Sequence, residues 1–449
     1  MADLKAPRGM HDLLPEDEAL WRFVRDTAER VARLFDYRLI STPIVEDGRV
    51  FLRTVGDESD IVSKEMYLFE DRGGDRLALR PEGTAAVCRA YLEHGMASRP
   101  QPVRLAYFGP MFRYDRPQAG RYRQLWQFGV ECIGDGSPSA DVEVIELQRT
   151  LYEELGLGDL TLRINSIGTA ETRRRYVEAL RAHLEPHVTT LSRDSQRRFE
   201  TNVLRILDSK EDAQHPALLS APSILDHLDE GDALHFTEVR ALLDILGVAY
   251  QVDPRIVRGL DYYARTVWEF VPPSIVEQVH GQLEHGAVPL VSGVGADLQA
   301  RVVREVSTQA TVGAGGRYDG LIELLGGPHT PGVGFATGIE RIMLNLRDRQ
   351  TLVADPVVDL YVAPLSEAVQ AAAMHAARRA RAAGFAVRAG FPGRGLRAHF
   401  RAAEGAAARF IAIVGEAEAA RDAVQLKALT GDSEQVEVAF DDLAAALAR

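Results

Sequence analysis

Two apolar segments of strand length, joined by a polar link rich in arginine, restrict most strongly the folds open to this chain. The segments are VRLAYFGPMFRYD (103–115) and RQLWQFGVECIG (123–134), and the link is RPQAGRY. Upstream, YLFE and RLALR flank the turn DRGGD, which is the pattern of a β-hairpin. Neighbouring strands with few helices between them favour an antiparallel sheet over a doubly wound one, since each parallel crossover needs a helix.

Helical spacing dominates three other stretches of the first 250 residues. Residues 16–35 repeat apolar side chains at helical spacing directly after Pro15, and PEGTAAVCRAYLEH (81–94) follows the hairpin as a second helix. Arg, Glu, Ala and Leu dominate residues 171–250, where strand-like alternation is scarce. We interpret that third stretch as a helical insertion. A strand is predicted for LISTPIVE (39–46).

Strand signals return downstream of the insertion. They cover 256–271 and a Gly-rich strand, GVGFATG (332–338), which leads into the helix IERIMLNLRDR. Pro356 opens a new unit in which strand and helix patterns alternate, which predicts a small α/β domain. Residues 378–409 of that unit carry eight Arg and one acidic residue, so this part of the domain could bind phosphates or could be a solvated helix face.

The overall composition excludes several classes of protein. With 449 residues the chain is too long for one compact core, so two or three domains are expected. No apolar run reaches the roughly 20 residues of a membrane span, and the N-terminus lacks the apolar region of a secretory signal. Cys88 and Cys132 are too few for a disulfide framework or a zinc site, and a structural metal is not expected. The net charge of -13 argues against a uniformly nucleic-acid-coated protein but allows a local basic patch.

The arginine-rich hairpin is the first segment that points to chemistry. Four Arg fall within residues 113–123, and guanidinium groups suit bidentate phosphate contacts. Arg113 ends a strand and should be held rigidly. On the next strand, Gln127 and Glu131 are four residues apart and face the same side, where they could accept hydrogen bonds from an ammonium group. A surface hairpin with solvated charges is the alternative for this segment taken alone.

Three further motifs carry charged or Gly-rich segments. VRGLDYYARTVWEF places Arg258 and Asp261 in an otherwise apolar strand, where they could form a structural ion pair or serve a site. GAGGRYDGL (313–321) allows close backbone approach to a ligand, but no GxxxxGK[ST] is present, so a P-loop is excluded. GVGFATGIERIML brings Arg341 near the end of a strand, although a tight packing turn would explain it equally.

Taken in order, these blocks resemble the histidyl-tRNA synthetases, a class II family, along essentially the whole chain. PIVE (43–46) resembles the end of the first class motif, a dimer-interface element. FRYDRPQAGRYRQ with QFGVE resembles the second motif, and GVGFATGIERIML the third. RGLDYY and GAGGRYDGL resemble two peptides typical of histidyl enzymes. RPEGT (80–84) and NSIG (165–168) match as well.

The resemblance implies that the chain activates L-histidine with ATP and Mg²⁺ and then esterifies the 3′ end of tRNA(His). Arg113 is expected at the α-phosphate, with Arg258 as a fixed cation on its opposite side. Arg121 and Arg341 are expected at the outer phosphates, and Asp115 at the adenine. Such chemistry depends on positioning and charge stabilisation. No metal ligand among the side chains is implied.

The histidine and tRNA contacts are also carried over by motif. The resemblance implies a histidine site formed by Glu82, Thr84, Gln127, Glu131, Tyr263 and Tyr318. A pocket that satisfies both imidazole nitrogens discriminates strongly without editing. Arg116 and Gln118, in the hairpin loop, are the candidates for contacting the tRNA acceptor end.

The implied architecture is α+β, with a class II antiparallel-sheet catalytic core, a helical insertion and a C-terminal α/β anticodon-binding domain. We expect the catalytic core in residues 1–170 and 251–350, the insertion in 171–250 and the anticodon-binding domain in 356–449. The resemblance also implies a cytoplasmic homodimer without membrane contact.

This sequence departs from the family pattern at three places. Asp115 stands where Glu is usual, so the residue expected at the adenine has a side chain one methylene shorter. Residues 272–308 exceed the usual spacer between the two histidine peptides. Arg replaces Lys in GRGLRAHF (393–400), an exchange that should preserve phosphate contact but alter its geometry.

Three other functions are weighed against this interpretation. A non-catalytic paralogue, such as the regulatory subunit of ATP phosphoribosyltransferase, should lack the Arg258 peptide and the C-terminal domain. A class II ligase for threonine, proline or glycine should lack RGLDYY and GAGGRYDGL. An RNA-binding scaffold has no need of Arg113, Arg258 and Arg341 in three separate motifs.

Overall fold

The computed structural model describes residues 4–54, 65–115, 121–209, 211–257, 262–273, 311–351, 358–429 and 434–448. The chain divides into two compact units, residues 1–351 and 352–449. The narrower segmentation predicted above, with boundaries at 170, 250 and 356, stays a prediction. In the described ranges, no helix has the length and apolar character needed to cross a membrane.

The first unit contains strands and helices that follow the chain in this order. Its strands are β1 (Arg38–Leu39), β2 (Val45–Asp47), β3 (Tyr67–Glu70), β4 (Arg76–Leu79), β5 (Val103–Phe112), β6 (Gln124–Ile133), β7 (Thr161–Ser166), β8 (Gln251–Val252), β9 (Ala264–Val271), β10 (Gly313–Arg317) and β11 (Gly332–Gly338). Its helices are α1 (Pro15–Leu34), α2 (Gly48–Thr54), α3 (Thr84–Glu93), α4 (Pro138–Glu154), α5 (Ala170–Leu184), α6 (Arg193–Thr201), α7 (Pro216–Leu219), α8 (Glu230–Ile245), α9 (Leu321–Leu324) and α10 (Ile339–Asp348). Short 3₁₀ turns lie at Met96–Ser98, Glu185–Thr190, Val203–Ile206 and Ile224–His227.

An eight-stranded sheet organises the first unit. Its order is β1-β5-β6-β11-β10-β9-β7-β8, and the strands from β5 to β7 pair antiparallel with their neighbours. Among the described residues of this sheet, only the end strands β1 and β8 pair parallel. A separate antiparallel sheet has the order β2-β4-β3. The predicted antiparallel sheet and α+β class are confirmed.

The alternation along β6 explains how this sheet can have a core face and a site face. Phe128, Val130 and Cys132 are fully buried in the core beneath α1, α4 and α10. Gln127 and Glu131 point to the opposite face, because successive strand residues alternate. Burying three apolar side chains on one face stabilises the sheet by roughly 2 kcal/mol each, which lets the other face carry polar groups.

Two predicted strands are corrected by the structure. LISTPIVE is not one strand: β1 ends at Leu39 and β2 starts at Val45, and the two belong to different sheets. Pro43 lies between them and cannot donate a ladder hydrogen bond. The predicted strand at 256–271 is shorter in the structure, since β9 begins at Ala264. The Gly-rich GAGGR, which allowed close ligand approach, is the inner strand β10.

Helices α5 to α8 occupy the predicted insertion. Tyr176, Leu180 and Phe199 pack in one apolar cluster with Leu105 and Met111 of the large sheet. Helix α8 packs in a different cluster, where Phe236, Val239 and Leu243 join the core formed by the other face of that sheet. The last helix of the insertion is therefore packed into the body that holds the sheet.

The second unit is a five-stranded sheet with helices. Its strands are β12 (Leu360–Pro364), β13 (Val387–Ala389), β14 (Phe410–Val414), β15 (Ala423–Ala428) and β16 (Val436–Ala439), and its helices are α11 (Gln370–Ala382), α12 (Leu396–Glu404), α13 (Glu416–Ala419) and α14 (Leu443–Leu447), with a 3₁₀ turn at Glu367–Val369. The order is β13-β12-β14-β15-β16, parallel across the first three and antiparallel across the last three. The predicted small α/β unit is confirmed, and its antiparallel edge was not predicted.

Candidate active site

A buried carboxylate lies at the centre of the site face of the large sheet. Glu131, on β6, is 0% exposed; its Oε1 accepts a hydrogen bond from Thr84 Oγ1 (2.7 Å) and its Oε2 one from the Tyr318 hydroxyl (2.6 Å). Burial raises the pKa of Glu131 to about 8, and the two hydroxyl donors oppose that rise. Thr84 and Tyr318, which are far apart in the sequence, thus both donate to the Glu131 carboxylate.

Glycine on the neighbouring strand makes room for this carboxylate. Gly334 on β11 pairs with Glu131, and a Cβ at that glycine would lie 2.0 Å from Glu131 Oε2. Gly332 and Gly316 give the same clearance to aromatic rings, since a Cβ there would lie 2.2 Å from Tyr318 and 2.7 Å from Tyr263. The Gly-rich segments are therefore the floor of a pocket rather than a phosphate loop.

Glu82 provides a second buried carboxylate at the start of α3. Its Oε2 accepts from the Thr84 N–H (2.7 Å) and its Oε1 from the Ala85 N–H (2.8 Å). Burial is the main cause that raises the pKa of Glu82, and these backbone donors oppose it. Each carboxylate oxygen has a second lone pair, so Glu82 can cap the helix and still accept from a ligand.

Aromatic side chains form the walls of the pocket. The Tyr262 and Tyr263 ring centroids are 4.7 Å apart, and Tyr262 meets Tyr318 edge to face at 6.1 Å. Two buried polar atoms, the Tyr107 hydroxyl and Gln127 Oε1, have no hydrogen-bond partner within the part of the chain that the structure describes. Buried polar groups are nearly always hydrogen-bonded, so these two atoms are open to a hydrogen bond with a polar ligand.

Cationic side chains gather at the end of the same sheet where β5 and β6 meet their loop. Arg113 directly follows β5 and its Nε donates to Pro81 O (2.8 Å), while an Arg121 nitrogen lies 3.5 Å from Asp115 Oδ2. Arg341, at the start of α10, donates to Thr311 O. Burial lowers the pKa of Arg341 to about 10, and the positive charges of Arg121 and Arg113 lower it further.

The charges of Arg121 and Arg113 lower the pKa of Arg341 while those of Glu269 and Asp115 raise it, so the three guanidinium groups share one region with two carboxylates. Like charges held together in a partly buried place destabilise one another unless an anion joins them. A polyanion such as a triphosphate meets that requirement, because guanidinium groups bind phosphate oxygens bidentately. The predicted phosphate residues Arg113, Arg121 and Arg341 are thus brought together.

Helix α10 is fixed by the residue before Arg341. Both carboxylate oxygens of Glu340 accept from the Trp126 N–H on β6, at 2.9 and 3.1 Å. Burial raises the pKa of Glu340 to about 7. This contact ties the start of the helix to the strand that carries Gln127, and it was not predicted because nothing in the sequence links positions 126 and 340.

Some predicted site residues lie outside the described residues, namely Arg116, Gln118 and Arg258. Two contributors were missed. Tyr107 faces Gly129 across β5 and β6, and Arg80 donates to Pro110 O and Thr42 O, both at 2.9 Å, which braces the loop before Glu82. The alternation of β5 could have placed Tyr107 on the site face, whereas the Arg80 contacts needed the fold.

Comparison with known proteins agrees with this geometry. The family model "Histidyl-tRNA synthetase" matches residues 9–281, and "Anticodon binding domain" matches residues 359–449. The histidine--tRNA ligase of Bacillus subtilis (strain 168) is 42% identical over 439 residues, covering 97% of this chain and 96% of that protein. This chain belongs to the histidyl-tRNA synthetase family.

Two other similar proteins support the same membership. The histidine--tRNA ligase of Dehalococcoides mccartyi (strain 195) is 44% identical over 416 residues, which are 92% of each chain. The apo histidyl-tRNA synthetase of S. aureus matches with a TM-score of 0.77 and 33% identity, covering 99% of this chain and 100% of that one. The class II fold is thereby confirmed, and the alternative class II ligases are disfavoured.

The raised pKa of Glu131 predicts how the free energy of unfolding of this protein depends on pH. The folded pKa of about 8 exceeds the unfolded value of about 4.5, so the native state holds an extra proton between these values. The stabilisation is fully present below pH 4.5 and is lost as the pH rises to 8. We expect Glu131→Gln to remove up to about 1.4 kcal/mol per pH unit of this dependence.

Urea unfolding from pH 5 to 8, followed by tryptophan fluorescence, measures this slope. All three Trp lie in the first unit, so the signal excludes the second. The control is Glu200→Gln, an exposed glutamate on α6. A wild-type slope equal to that of Glu131→Gln would contradict the raised pKa.

Proposed function

We propose that this chain activates histidine with ATP and transfers it to tRNA(His). The observation that carries the proposal is the Thr84–Glu131–Tyr318 hydrogen-bonded group, which lies on the same sheet face as Gln127. Glu82, which binds the Thr84 N–H, lies next to Pro81, and the Pro81 carbonyl accepts from Arg113. An amino-acid pocket joined to a triphosphate-binding region is what adenylate formation requires. Family membership, with ligases at 42 to 44% identity, supports the proposal over a regulatory paralogue.

The histidine site is proposed to divide between the two carboxylates. Glu131 and Tyr318 face the imidazole, because their mutual hydrogen bond leaves lone pairs for an imidazole N–H. Glu82 and Gln127 accept from the α-ammonium, aided by Thr84, whose hydroxyl orients Glu131. Tyr263 closes one wall. A side chain without ring nitrogens leaves this buried group unpaired, which is the basis of discrimination.

Activation is proposed as an in-line displacement. The histidine carboxylate oxygen attacks the α-phosphorus, the bond to the bridging oxygen breaks, and pyrophosphate leaves. Arg113 stabilises the charge that grows on the α-phosphate, and Arg121 and Arg341 bind the outer phosphates. Arg258, carried over by motif, is the cation on the other side, and Asp115 is the adenine contact. ATP enters with Mg²⁺ bound to its phosphates.

Transfer completes the reaction. A ribose hydroxyl at the 3′ end of the tRNA attacks the carbonyl carbon of the adenylate, the bond from that carbon to the phosphate oxygen breaks, and AMP leaves as the hydroxyl proton passes to the departing phosphate. Arg116 and Gln118 are the proposed acceptor-end contacts. Both steps exchange one oxygen nucleophile for another, so the enzyme's part is to position the substrates and stabilise charge.

The second unit is proposed to bind the anticodon arm. Arg378, Arg381 and Arg388 line a groove of about 910 Å³ between α11 and β13, next to Met374 and Phe391, which is 70% exposed. Arginine beside an exposed aromatic ring suits phosphates and unstacked bases together. Two arginines of the same predicted cluster pair instead with aspartates, Arg379 with Asp441 and Arg409 with Asp359.

A cytoplasmic homodimer is proposed as the working form. The three-stranded sheet carries large apolar side chains at its surface, among them Val45 (40% exposed) and Phe69 (41% exposed). These two lie on one face, because Val45 pairs with Leu79 and Phe69 with Leu77, two positions along the same strand. Clustered apolar exposure of this kind suits a symmetric interface.

The first experiment is ATP–pyrophosphate exchange with each of the twenty amino acids in turn. We expect exchange with histidine alone, because the Glu131–Tyr318 group is completed only by a ring with nitrogen donors and acceptors. Exchange with another amino acid would keep the class and overturn the pocket assignment. No exchange from a folded sample supplied with Mg²⁺ would favour a non-catalytic paralogue.

Arg113→Ala is expected to lower kcat for histidine activation about 10²- to 10³-fold, because it removes a cation aimed at charge that develops in the transition state. The KM for histidine should change little, since that pocket is built from other side chains. Single-turnover adenylate formation measures the step. Arg33→Ala, an exposed arginine on α1, is the control, and a similar loss there would overturn the assigned role.

Deletion of residues 356–449 is expected to leave histidine activation within about twofold but to lower kcat/KM for tRNA charging at least about tenfold, since each 1.4 kcal/mol of lost contact is one factor of ten. The reason is that the activation residues all lie in the first unit. Charging is compared with the full chain and with Arg388→Ala, matched by Arg379→Ala. Equal charging after deletion would reject the RNA-binding role.

A further inference from the structure

Arg317, the last residue of β10, is buried together with its counter-ion, and each N–H of its guanidinium has an acceptor. Nε donates to Asp141 Oδ1 (3.0 Å), one terminal nitrogen to Asp135 O (2.9 Å) and Asp319 Oδ1 (3.0 Å), and the other to Ser137 O (3.0 Å) and Asp141 Oδ1 (2.9 Å). Arg317 and Asp141 are both 0% exposed. A buried ion pair adds little net stability over an apolar pair, so this fork points to a geometric role.

The second oxygen of Asp141 connects two more elements. Asp141 Oδ2 accepts from Thr266 Oγ1 (3.1 Å) on β9 and lies 2.5 Å from His235 Nε2 on α8. Asp141 itself is in the first turn of α4, where the helix dipole favours a carboxylate. We call Arg317, Asp141, His235 and Thr266 the Arg317 network. It joins the last helix of the insertion stretch to the central sheet.

The network ends beside the proposed histidine pocket. Arg317 precedes Tyr318, whose N–H donates to Gly332 O (2.7 Å) and whose hydroxyl donates to Glu131 Oε2 (2.6 Å). The pairing of β10 with β9 shifts register between Gly316 and Arg317, whereas the pairing with β11 continues through Arg317 to the Tyr318 N–H. The β11 ladder therefore holds the turn on one side, and the side chain of Arg317 holds it on the side where the β9 ladder is irregular.

A second bridge from α8 reaches the same turn. Asp232 accepts from Thr172 Oγ1 (3.0 Å) and Arg265 Nε (3.0 Å), and another Arg265 nitrogen lies 3.9 Å from Asp319 Oδ2. Arg265 has a positive φ of 53°, an unusual conformation for a residue other than glycine. Residues 317–319 are thus held from two helices. Asp141 on α4 binds Arg317 directly, and Asp232 on α8 acts through Arg265, which lies near Asp319.

We propose that the Arg317 network is a positioning device for histidine binding. It fixes the turn 317–319 so that the Tyr318 hydroxyl and the Glu131 carboxylate are set before the imidazole arrives. It also makes the geometry of that pocket depend on the packing of α8 against α4. The proposal rests on the proposed assignment of Tyr318 and Glu131 to the histidine site, and it adds His235, Asp141 and Arg317 as positioning residues.

The test compares two substitutions at His235 in the full-length chain. His235→Leu removes the donor to Asp141, and His235→Gln keeps an amide N–H at similar reach. We expect His235→Leu to raise the histidine KM about 5- to 10-fold with the ATP KM within about twofold, as coupling energies through packed networks allow. His235→Gln should return the histidine KM to within about twofold of wild type. Glu238→Ala, exposed on the same helix, is the control.

Two results would overturn the positioning role. One is a lower thermal midpoint for His235→Leu with both KM values unchanged, which is what a purely structural contact gives. The other is an equal rise in the histidine and ATP KM values, or no recovery with His235→Gln.

Tyr318→Phe separates failure of this proposal from failure of the pocket assignment. An unchanged histidine KM in Tyr318→Phe would reject the pocket assignment and with it the route through Tyr318. A raised KM in Tyr318→Phe with none in His235→Leu would reject only the positioning role. If the role holds, His235→Leu adds less than twofold in the Tyr318→Phe background, because both act through one hydroxyl.

Discussion

The burial of the Glu131 carboxylate within the sheet is the constraint on which the rest of the site depends. A charged or protonated carboxyl placed there needs donors, and Thr84 and Tyr318 supply them from α3 and from the turn after β10. It also needs volume, which Gly334 leaves on the neighbouring strand. The Glu131 side chain therefore requires three features at once: the start of α3, the glycine of strand β11 and the turn that contains Tyr318. These features lie up to 250 residues apart in the sequence.

The sequence predicted the parts of this arrangement that local pattern controls. The long β5–β6 hairpin followed from two apolar segments around an arginine-rich link, and the same-face relation of Gln127 and Glu131 followed from strand alternation. The prediction that Arg113, Arg121 and Arg341 act together on phosphates came from the resemblance to the family motifs and not from the local pattern of the sequence. Nothing local shows that a helix beginning at residue 339 returns to β6, where Glu340 binds the Trp126 N–H.

The failures have the same origin. LISTPIVE has the composition of one strand, but tertiary pairing sends β1 to the large sheet and β2 to the small one. GAGGRYDGL was predicted to allow close approach to a ligand, which stays a prediction; its sequence did not show that the rings of Trp268 and Tyr263 pack on Gly315 and Gly316. Arg317 in the same motif was not singled out, because its acceptors at 135, 137 and 141 adjoin it only after the sheet has formed.

The order of groups along β6 shows why one hairpin can serve both substrates. Glu131, with Tyr318, lies at the imidazole end of the proposed site. Gln127 lies four residues earlier on β6, two repeats of the strand, and Gln124 pairs with Phe112, next to Arg113. A strand advances about 3.4 Å per residue, so these positions form a line from side chain to ammonium to α-phosphate. Because a strand is rigid, the number of residues between two side chains fixes the distance between them in the site, which a flexible loop cannot do. In the proposed site, Glu131 and Gln127 on β6 and Arg113 directly after β5 would therefore align histidine with the phosphorus it attacks, while Glu82 and Arg341 reach the same line from α3 and α10.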